Sequence, residues 1–133
     1  MRRFTRKDFE AALPDLETSL RLPGLNGQVL IFRDPWGIPH IQAESNNDLF
    51  FAQGFATAQD RLWHMDYDRM RALGRWSEWV GRDGLAQDRL LRAAGMGRTA
   101  RLDYQMCRAD TRSMIDAYSD GVNAFIESTE SLP

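Results

Sequence analysis

The stretch RDPWGIPHIQAES, from Arg33 to Ser45, holds two prolines, a glycine, a tryptophan and one of the two histidines of the chain. Its segment Asp34-Pro35-Trp36-Gly37 has the composition of a type I turn. Asp is favoured at the first position because its carboxylate accepts backbone N–H bonds; proline presets φ at the second, and glycine is favoured at the fourth. This turn chemistry explains the stretch better than a catalytic role for His40.

The residues on either side of the turn predict two strands. The run QVLIF at 28–32 is apolar on both faces, which is typical of a strand covered on both sides. Residues 38–43 would return as the second strand, giving a β-hairpin near residues 28–43. Pro39 cannot donate to a ladder, so the second strand is predicted to lie at an edge or to have Pro39 among its first residues.

A long helix is predicted after the hairpin. The segment SNND, from Ser45 to Asp48, supplies N-cap residues and an acid for the first turn, and the helix should run from about Asp48 to Leu73. Its two faces separate at 100° per residue. The polar arc carries Gln53, Thr57, Asp60, His64, Asp68, Arg71 and Arg75. The apolar side carries Phe51, Phe55, Ala58, Leu62, Met65 and Leu73. His64 is therefore interpreted as a solvated residue.

Three polar residues interrupt the apolar side of this helix, namely Gln59, Asp66 and Arg69. Buried charges must be paired, and Asp66 and Arg69 are spaced so that they can meet. We therefore expect both to be substantially buried in a structural network and not to act in catalysis.

The second half of the chain should be helical after a break at 73–84. Trp76 and Trp79 in that break could cap the core or line a ligand surface. Helices are predicted at 85–92 and, beyond the glycines at 95–97, through Met106.

The last helix is predicted to be capped by Asp110 or Thr111. Its apolar stripe is Met114, Ile115, Tyr118, Val122, Phe125 and Ile126. Gly121 inside it costs about 1 kcal/mol relative to alanine, which indicates a close approach of another helix.

Composition excludes several classes of protein. The 133 residues are 43% hydrophobic and 27% charged with a net charge of −2, which is typical of a soluble globular domain and argues against general nucleic-acid binding. The single cysteine, Cys107, allows no internal disulfide, and its spacing from the histidines fits no zinc pattern. We expect Cys107 to be a half-buried helical residue. No apolar run approaches the roughly 18 residues of a membrane span.

Residues 1–27 are interpreted as an amphipathic lead-in. Phe9, Leu13, Leu16 and Leu20 recur at helical steps, and Pro14 interrupts them. The basic start lacks an uninterrupted apolar segment, so it does not read as a signal peptide, and a cytoplasmic location is slightly favoured. The chain also lacks a Gly-x-Ser-x-Gly elbow, a phosphate loop and a dinucleotide fingerprint.

Three blocks of sequence nevertheless carry a resemblance. They are RDPWGIPHIQAES, DLFFAQGFATAQDRLWHMDYDRMRALGRWSEWVG and YSDGVNAFIE. In order and spacing they resemble the start of the α chain of the penicillin acylase family, over about residues 28–128. Residues 28–133 are therefore assigned as the N-terminal part of such an α chain, an incomplete domain.

The resemblance implies an N-terminal-nucleophile hydrolase of α+β fold, with stacked antiparallel sheets covered by helices. The precursor cuts itself into α and β chains. The new N-terminal serine of the β chain attacks an amide carbonyl with help from its own α-amino group. Family substrates are N-acyl compounds such as β-lactam antibiotics and acyl-homoserine lactones. Periplasmic location is common, and calcium is possible in the complete enzyme.

No position here matches the nucleophile or the oxyanion donors, so we expect no catalytic residue, cofactor site or metal site in this chain. Its partner would be the β chain. The matched polar residues are assigned to structural support: Arg33, Asp34, Gly37, His40, Gln59, Asp60, Arg61, Asp66 and Arg69. The alternative is a free-standing helical module for protein interaction. A downstream reading frame with a processing-site Ser, Cys or Thr would separate the two hypotheses.

Overall fold

The structure is a computed structural model that describes residues 5–11, 13 and 16–130, with the backbone alone at 9–11 and 130. These described residues fold as six α-helices and one hairpin. The elements are α1 (Arg6–Ala11), β1 (Leu30–Arg33), β2 (Pro39–Gln42), α2 (Asn46–Ala72), α3 (Ser77–Val80), a 3₁₀ turn (Gly81–Gly84), α4 (Leu85–Ala94), α5 (Met96–Met106) and α6 (Ala109–Glu130). The mainly helical segment with one hairpin is confirmed.

The hairpin contains the predicted turn. The Gly37 amide donates to the Asp34 carbonyl at 2.9 Å, and Gly37 has φ +80°, a conformation that glycine adopts without strain. The antiparallel register pairs Arg33 with Pro39 and Leu30 with Gln42, so Pro39 is the first residue of β2 as predicted.

The expectation that the first strand is covered on both sides is wrong for the described chain. Leu30 is 53% exposed and Phe32 45% exposed, whereas Ile31 and Arg33, which alternate with them, are half-buried. One face of β1 lies toward the helices, and no described element packs on the other.

Helix α2 begins and ends close to the predicted positions. Ser45 is its N-cap, and its hydroxyl accepts from the Asp48 amide at 3.1 Å. A kink interrupts the helix at Arg61, which has non-helical φ −138° and ψ 16°. On the apolar side Phe51, Phe55 and Ala58 are buried as predicted, but Leu73 at the far end is 40% exposed.

The core forms where α2 crosses α6. Two glycines permit this crossing, because a Cβ on Gly54 would overlap the Tyr118 carbonyl oxygen and one on Gly121 would overlap the Phe51 carbonyl oxygen. The close approach predicted at Gly121 is confirmed.

The apolar stripe of α6 is shifted from its predicted position. The buried residues are Ala117, Gly121 and Ala124, whereas Ile115 is 41% exposed. Small residues occupy the contact line because the backbones are close, so the large side chains lie to either side of it. The helix also begins at Ala109, earlier than capping by Asp110 or Thr111 requires.

The end of the lead-in packs against the core. Leu22 and Leu25 contact the cluster of Phe51, Phe55 and Ala124. Leu13, Leu16 and Leu20 are each more than half exposed, so the predicted apolar stripe does not form a buried face. Pro14 and the Phe9 side chain lie outside the described residues. The boundary at residue 28 stays a prediction.

Between Thr5 and Glu130, none of the described helices is long and apolar enough to cross a membrane.

Candidate functional site

Six of the nine predicted support residues lie where the hairpin turn approaches the middle of α2. The Arg33 guanidinium binds both carboxylate oxygens of Asp60 at 2.9 Å, and also donates to Gln59 Oε1 and the Gly37 carbonyl at 2.9 Å. The Arg33 side chain is 9% exposed. A bidentate guanidinium–carboxylate pair fixes both distance and orientation, so this contact holds the turn against the helix.

A second group of contacts closes the turn from within. Asp34 Oδ1 accepts from the amides of Trp36 and Ile38 at 3.0 and 2.9 Å. Asp34 Oδ2 lies 3.3 Å from His40 Nε2, and the His40 ring stacks on Phe32 with centroids 4.9 Å apart. Burial of Asp34 raises its pKa, but the bonds from Ile38, His40 and Trp36 outweigh this, and the pKa lies below its ordinary value.

The described contacts of this arrangement join the turn to itself and to α2. Within the described residues, the His40 ring hydrogen-bonds to a carboxylate and not to a hydroxyl or thiol. An activated nucleophile would require such a group within hydrogen-bond reach of the base. The assignment of these residues to structural support stays a prediction.

Three other predicted support residues lie apart from both groups. Arg61 is exposed at the kink of α2. The expectation that Asp66 and Arg69 are both substantially buried is wrong, because the Arg69 side chain is 54% exposed. Asp66 is half-buried, with its side chain 35% exposed. The two residues do form the expected ion pair, with Arg69 Nε 2.7 Å from Asp66 Oδ1. Helical periodicity placed them on the apolar side, but in this part of α2 it is Met70, only 3% exposed, that is buried.

Two buried carboxylates were not predicted as anchors. Asp48, only 2% exposed, accepts from the Asn26 amide and the Ser45 hydroxyl at 2.8 Å, and so ties the lead-in to α2. Asp88, 3% exposed, accepts from the amides of Trp76 and Ser77 at 2.8 Å. Asp48 was recognised as a first-turn acid, but nothing local in the sequence indicates the partners of Asp88, which are 11 and 12 residues away.

The two anchors predict an acid-dependent loss of stability. Bonds from Asn26 and then Ser45 lower the pKa of Asp48 below 3.8. Burial raises the pKa of Asp88, but bonds from Ser77 and Trp76 outweigh it, so this pKa is also lowered. Because the unfolded carboxyls take up protons more readily, the stabilisation is complete well above pH 3.8 and is lost as the pH falls through the folded values.

Asp48→Asn and Asp88→Asn should therefore be less stable than the parent at neutral pH, with a difference that shrinks in acid. Denaturant titrations from neutral pH down to about 2.5 would measure this. The control is Asp120→Asn, an exposed carboxylate on α6, which should track the parent. A constant difference at all pH values would contradict the prediction.

The tryptophans of the predicted break join an aromatic cluster on the surface. Trp63 stacks on Tyr67 at 5.4 Å, Tyr67 meets Trp76 edge-on at 4.8 Å, and Trp79 lies 5.6 Å from Trp76. Trp76 is half-buried, while Trp63 and Trp79 are 67% and 43% exposed. The cluster leaves an apolar surface at Trp63 and Trp79.

The described part of the chain contains no group of three His, Cys, Asp or Glu residues that could hold a metal ion. Cys107 is half-buried, as expected, but it follows the last residue of α5 and has extended φ and ψ. An open groove of about 530 Å³ lies between β2 and α2. It is lined mainly by apolar side chains, with Gln53 and Thr57 at its polar positions.

Comparisons with known proteins agree with the sequence blocks. The family model described as penicillin amidase matches residues 28–133. The chain is 45% identical to penicillin acylase 2 proenzyme of Pseudomonas sp. strain SE83, over 96% of this chain and 16% of that protein. It is 34% identical to the acyl-homoserine lactone acylase QuiP of Pseudomonas syringae pv. syringae, over 90% of this chain and 14% of that protein.

A solved structure extends the likeness to the fold. The thermostable penicillin G acylase from Alcaligenes faecalis superposes with a TM-score of 0.69 at 29% identity, covering 80% of this chain and 58% of that one. The chain spans about a sixth of the length of the curated relatives it matches. On the family match and the 45% identity, this chain belongs to the penicillin amidase family.

Proposed function

We propose that this chain is the N-terminal scaffold part of an amidohydrolase that cleaves the amide bond of N-acyl compounds, of the β-lactam antibiotic or acyl-homoserine lactone type. The names of its relatives support this substrate class, since they include penicillin acylases and acyl-homoserine lactone acylases. The name proenzyme in one of them supports a precursor that is processed into α and β chains.

The observation that carries the proposal is a hairpin held firmly on one side and open on the other. Arg33 fixes the turn to α2, whereas Leu30 and Phe32 expose apolar surface on the opposite face. A two-stranded sheet is marginally stable without further strands or a covering layer. Such a hairpin is best suited to form part of a larger sheet, as the scaffold of a catalytic domain requires.

In this proposal the chemistry belongs to a partner β chain and the support to the present residues. The β-chain N-terminal serine attacks the amide carbonyl, its α-amino group moves the proton, and the oxyanion donors stabilise the tetrahedral intermediate. Water then releases the acid. A calcium ion would belong to the complete enzyme. The residues that would keep the hairpin in position within the larger sheet are Arg33, Asp34, His40, Gln59 and Asp60.

The decisive test is activity with and without the downstream part of the protein. The 133-residue chain should not hydrolyse a chromogenic phenylacetyl or long-chain acyl amide, because its internal serines lack the free α-amino group that acts as the base. The protein that includes the downstream region should turn the substrate over. The matched control is that same protein with the leading serine of its β chain replaced by alanine, which should be inactive.

Two outcomes would contradict the proposal. Turnover by the isolated chain that is abolished by mutating one of its own residues would place a site within it. Absence of any processing-site Ser, Cys or Thr downstream, with no turnover by the whole protein, would favour a helical interaction module.

A further inference from the structure

We propose that the outer edge of β1, and not that of β2, pairs with a further β-strand supplied by the remainder of the same polypeptide. This inference rests on the proposed function and identifies the part of the scaffold that joins the larger sheet.

The hydrogen-bonding pattern of the hairpin shows which backbone groups are free. The Asp34 amide donates to the Ile38 carbonyl at 3.1 Å, so this pair faces inward. Bonded and non-bonded pairs alternate along an antiparallel ladder. With the observed register, the inward-facing pairs are Phe32 with His40 and Leu30 with Gln42. The intervening pairs, Ile31 with Ile41 and Arg33 with Pro39, direct their N–H and C=O groups outward.

The two outer edges are therefore unequal. On β1, Ile31 and Arg33 each present both a donor and an acceptor at alternate positions, as a neighbouring strand requires. On β2, Ile41 does so, but Pro39 has no N–H and leaves a gap in any ladder built there. A strand that adds to β1 gains a complete set of bonds, and one that adds to β2 does not.

The side-chain composition of the two strands also favours pairing at β1. β1 is apolar toward α2 at Ile31 and apolar on its opposite face at Leu30 and Phe32. The corresponding face of β2 carries His40 and Gln42. Strands inside a sheet are covered on both faces, whereas proline and polar side chains are the devices that protect an edge. β1 has the character of an inner strand and β2 that of an edge strand.

The occupant is assigned to the same polypeptide on grounds of length. In the curated relatives the matched region is about a sixth of the protein, so most of each chain lies beyond it. A strand tethered to the hairpin is present at an effective concentration that a separate molecule rarely reaches.

Amide hydrogen exchange resolved to single residues tests the proposal in the whole protein. The amides of Ile31 and Arg33 should exchange roughly 10³-fold more slowly than in an unstructured peptide, because they are bonded in a ladder. The Ile41 amide should exchange rapidly. Protection of Ile41 without Ile31, protection of both, or protection of neither would each overturn the assignment. So would protection of Ile31 that appears only as the chain self-associates.

A pair of proline variants gives a second, independent measurement. Ile31 and Ile41 are opposite each other in the register and both half-buried, so Ile31→Pro and Ile41→Pro remove matched outward N–H groups and similar packing. In the whole protein, Ile31→Pro should reduce the yield of active, processed enzyme by at least about tenfold relative to Ile41→Pro. Equal losses, or a greater loss for Ile41→Pro, would contradict the proposal.

The exchange measurement on the parent protein keeps the test valid if a proline variant fails to fold. Hydrolysis of the acyl amide by the parent is measured separately. A hydrolytic protein with a protected Ile41 would overturn the edge assignment and leave the proposed function intact. A protein with a protected Ile31 amide and no hydrolysis would support the edge assignment and contradict the proposed function.

Discussion

Gly54→Ala and Gly121→Ala should each lower the free energy of unfolding by roughly 2–4 kcal/mol. The added methyl at position 54 would overlap the Tyr118 carbonyl oxygen, and that at 121 the Phe51 carbonyl oxygen. Both obstacles are backbone atoms of a packed helix, so relief requires α2 and α6 to move apart. The higher helix propensity of alanine relative to glycine offsets only about 1 kcal/mol of this loss. Chemical denaturation followed by circular dichroism measures the loss.

The control for these substitutions is Gly97→Ala in α5. The nearest atom to a Cβ there is Leu73 Cδ2 at 3.2 Å, the far end of a flexible side chain that is 40% exposed. That side chain can move aside, so we expect a change between zero and a gain of about 1 kcal/mol. If Gly54→Ala is as stable as the parent, the helices are farther apart than in this structure. The double variant of Gly54→Ala and Gly121→Ala should lose less stability than the two single variants added together, because one added methyl already moves α2 and α6 apart.

Arg33→Met should destabilise the protein by about 3 kcal/mol, since it leaves Asp60 and Gln59 without their main partner. A double-mutant cycle with Asp60→Asn isolates the pair, and we expect a coupling energy of about 2 kcal/mol. Arg33→Lys should recover little, because an ammonium group cannot bind both carboxylate oxygens in the same plane.

The ion pair of Asp66 and Arg69 provides the matched comparison for this cycle. It joins the same two residue types, but its arginine side chain is 54% exposed, against 9% for Arg33. Exposed pairs typically contribute 1 kcal/mol or less, so its coupling should be about 0.5 kcal/mol. Equal coupling in the two cycles would show that burial of Arg33 adds nothing.

Local chemistry made the turn and the long helix predictable. Asp34, Pro35 and Gly37 act within four residues of one another, and Ser45 caps the turn that immediately follows it. The sequence predicted Arg33 and Asp60 as support residues but did not predict that they bind each other. Their contact depends on how the hairpin packs on α2. The role of Asp88 could not be predicted. Its partners, the amides of residues 76 and 77, reach it only through the turn between α3 and α4, and the helical periodicity of the sequence gives no information about that turn.

The errors share a physical origin in what covers each face. Periodicity identifies an apolar side but not the length over which a neighbour covers it. Asp66 and Arg69 were expected to be buried on that assumption, whereas α6 covers α2 near Phe51 and Phe55. In the hairpin, Leu30 and Phe32 were likewise expected to be covered, but no described element packs on their face of β1. On α6, the small residues 117, 121 and 124 mark the contact line, and a stripe chosen by side-chain size was displaced from it.

The crossing at the two glycines joins two segments that are made at different times during synthesis. Gly121 follows Gly54 by 67 residues, and at about 5–20 residues per second it is added roughly 3–13 s later. A hairpin needs only about 1–10 μs to form. Phe51 and Phe55 therefore remain without their partner helix for seconds on the ribosome, long enough for a chaperone to bind α2 before α6 arrives.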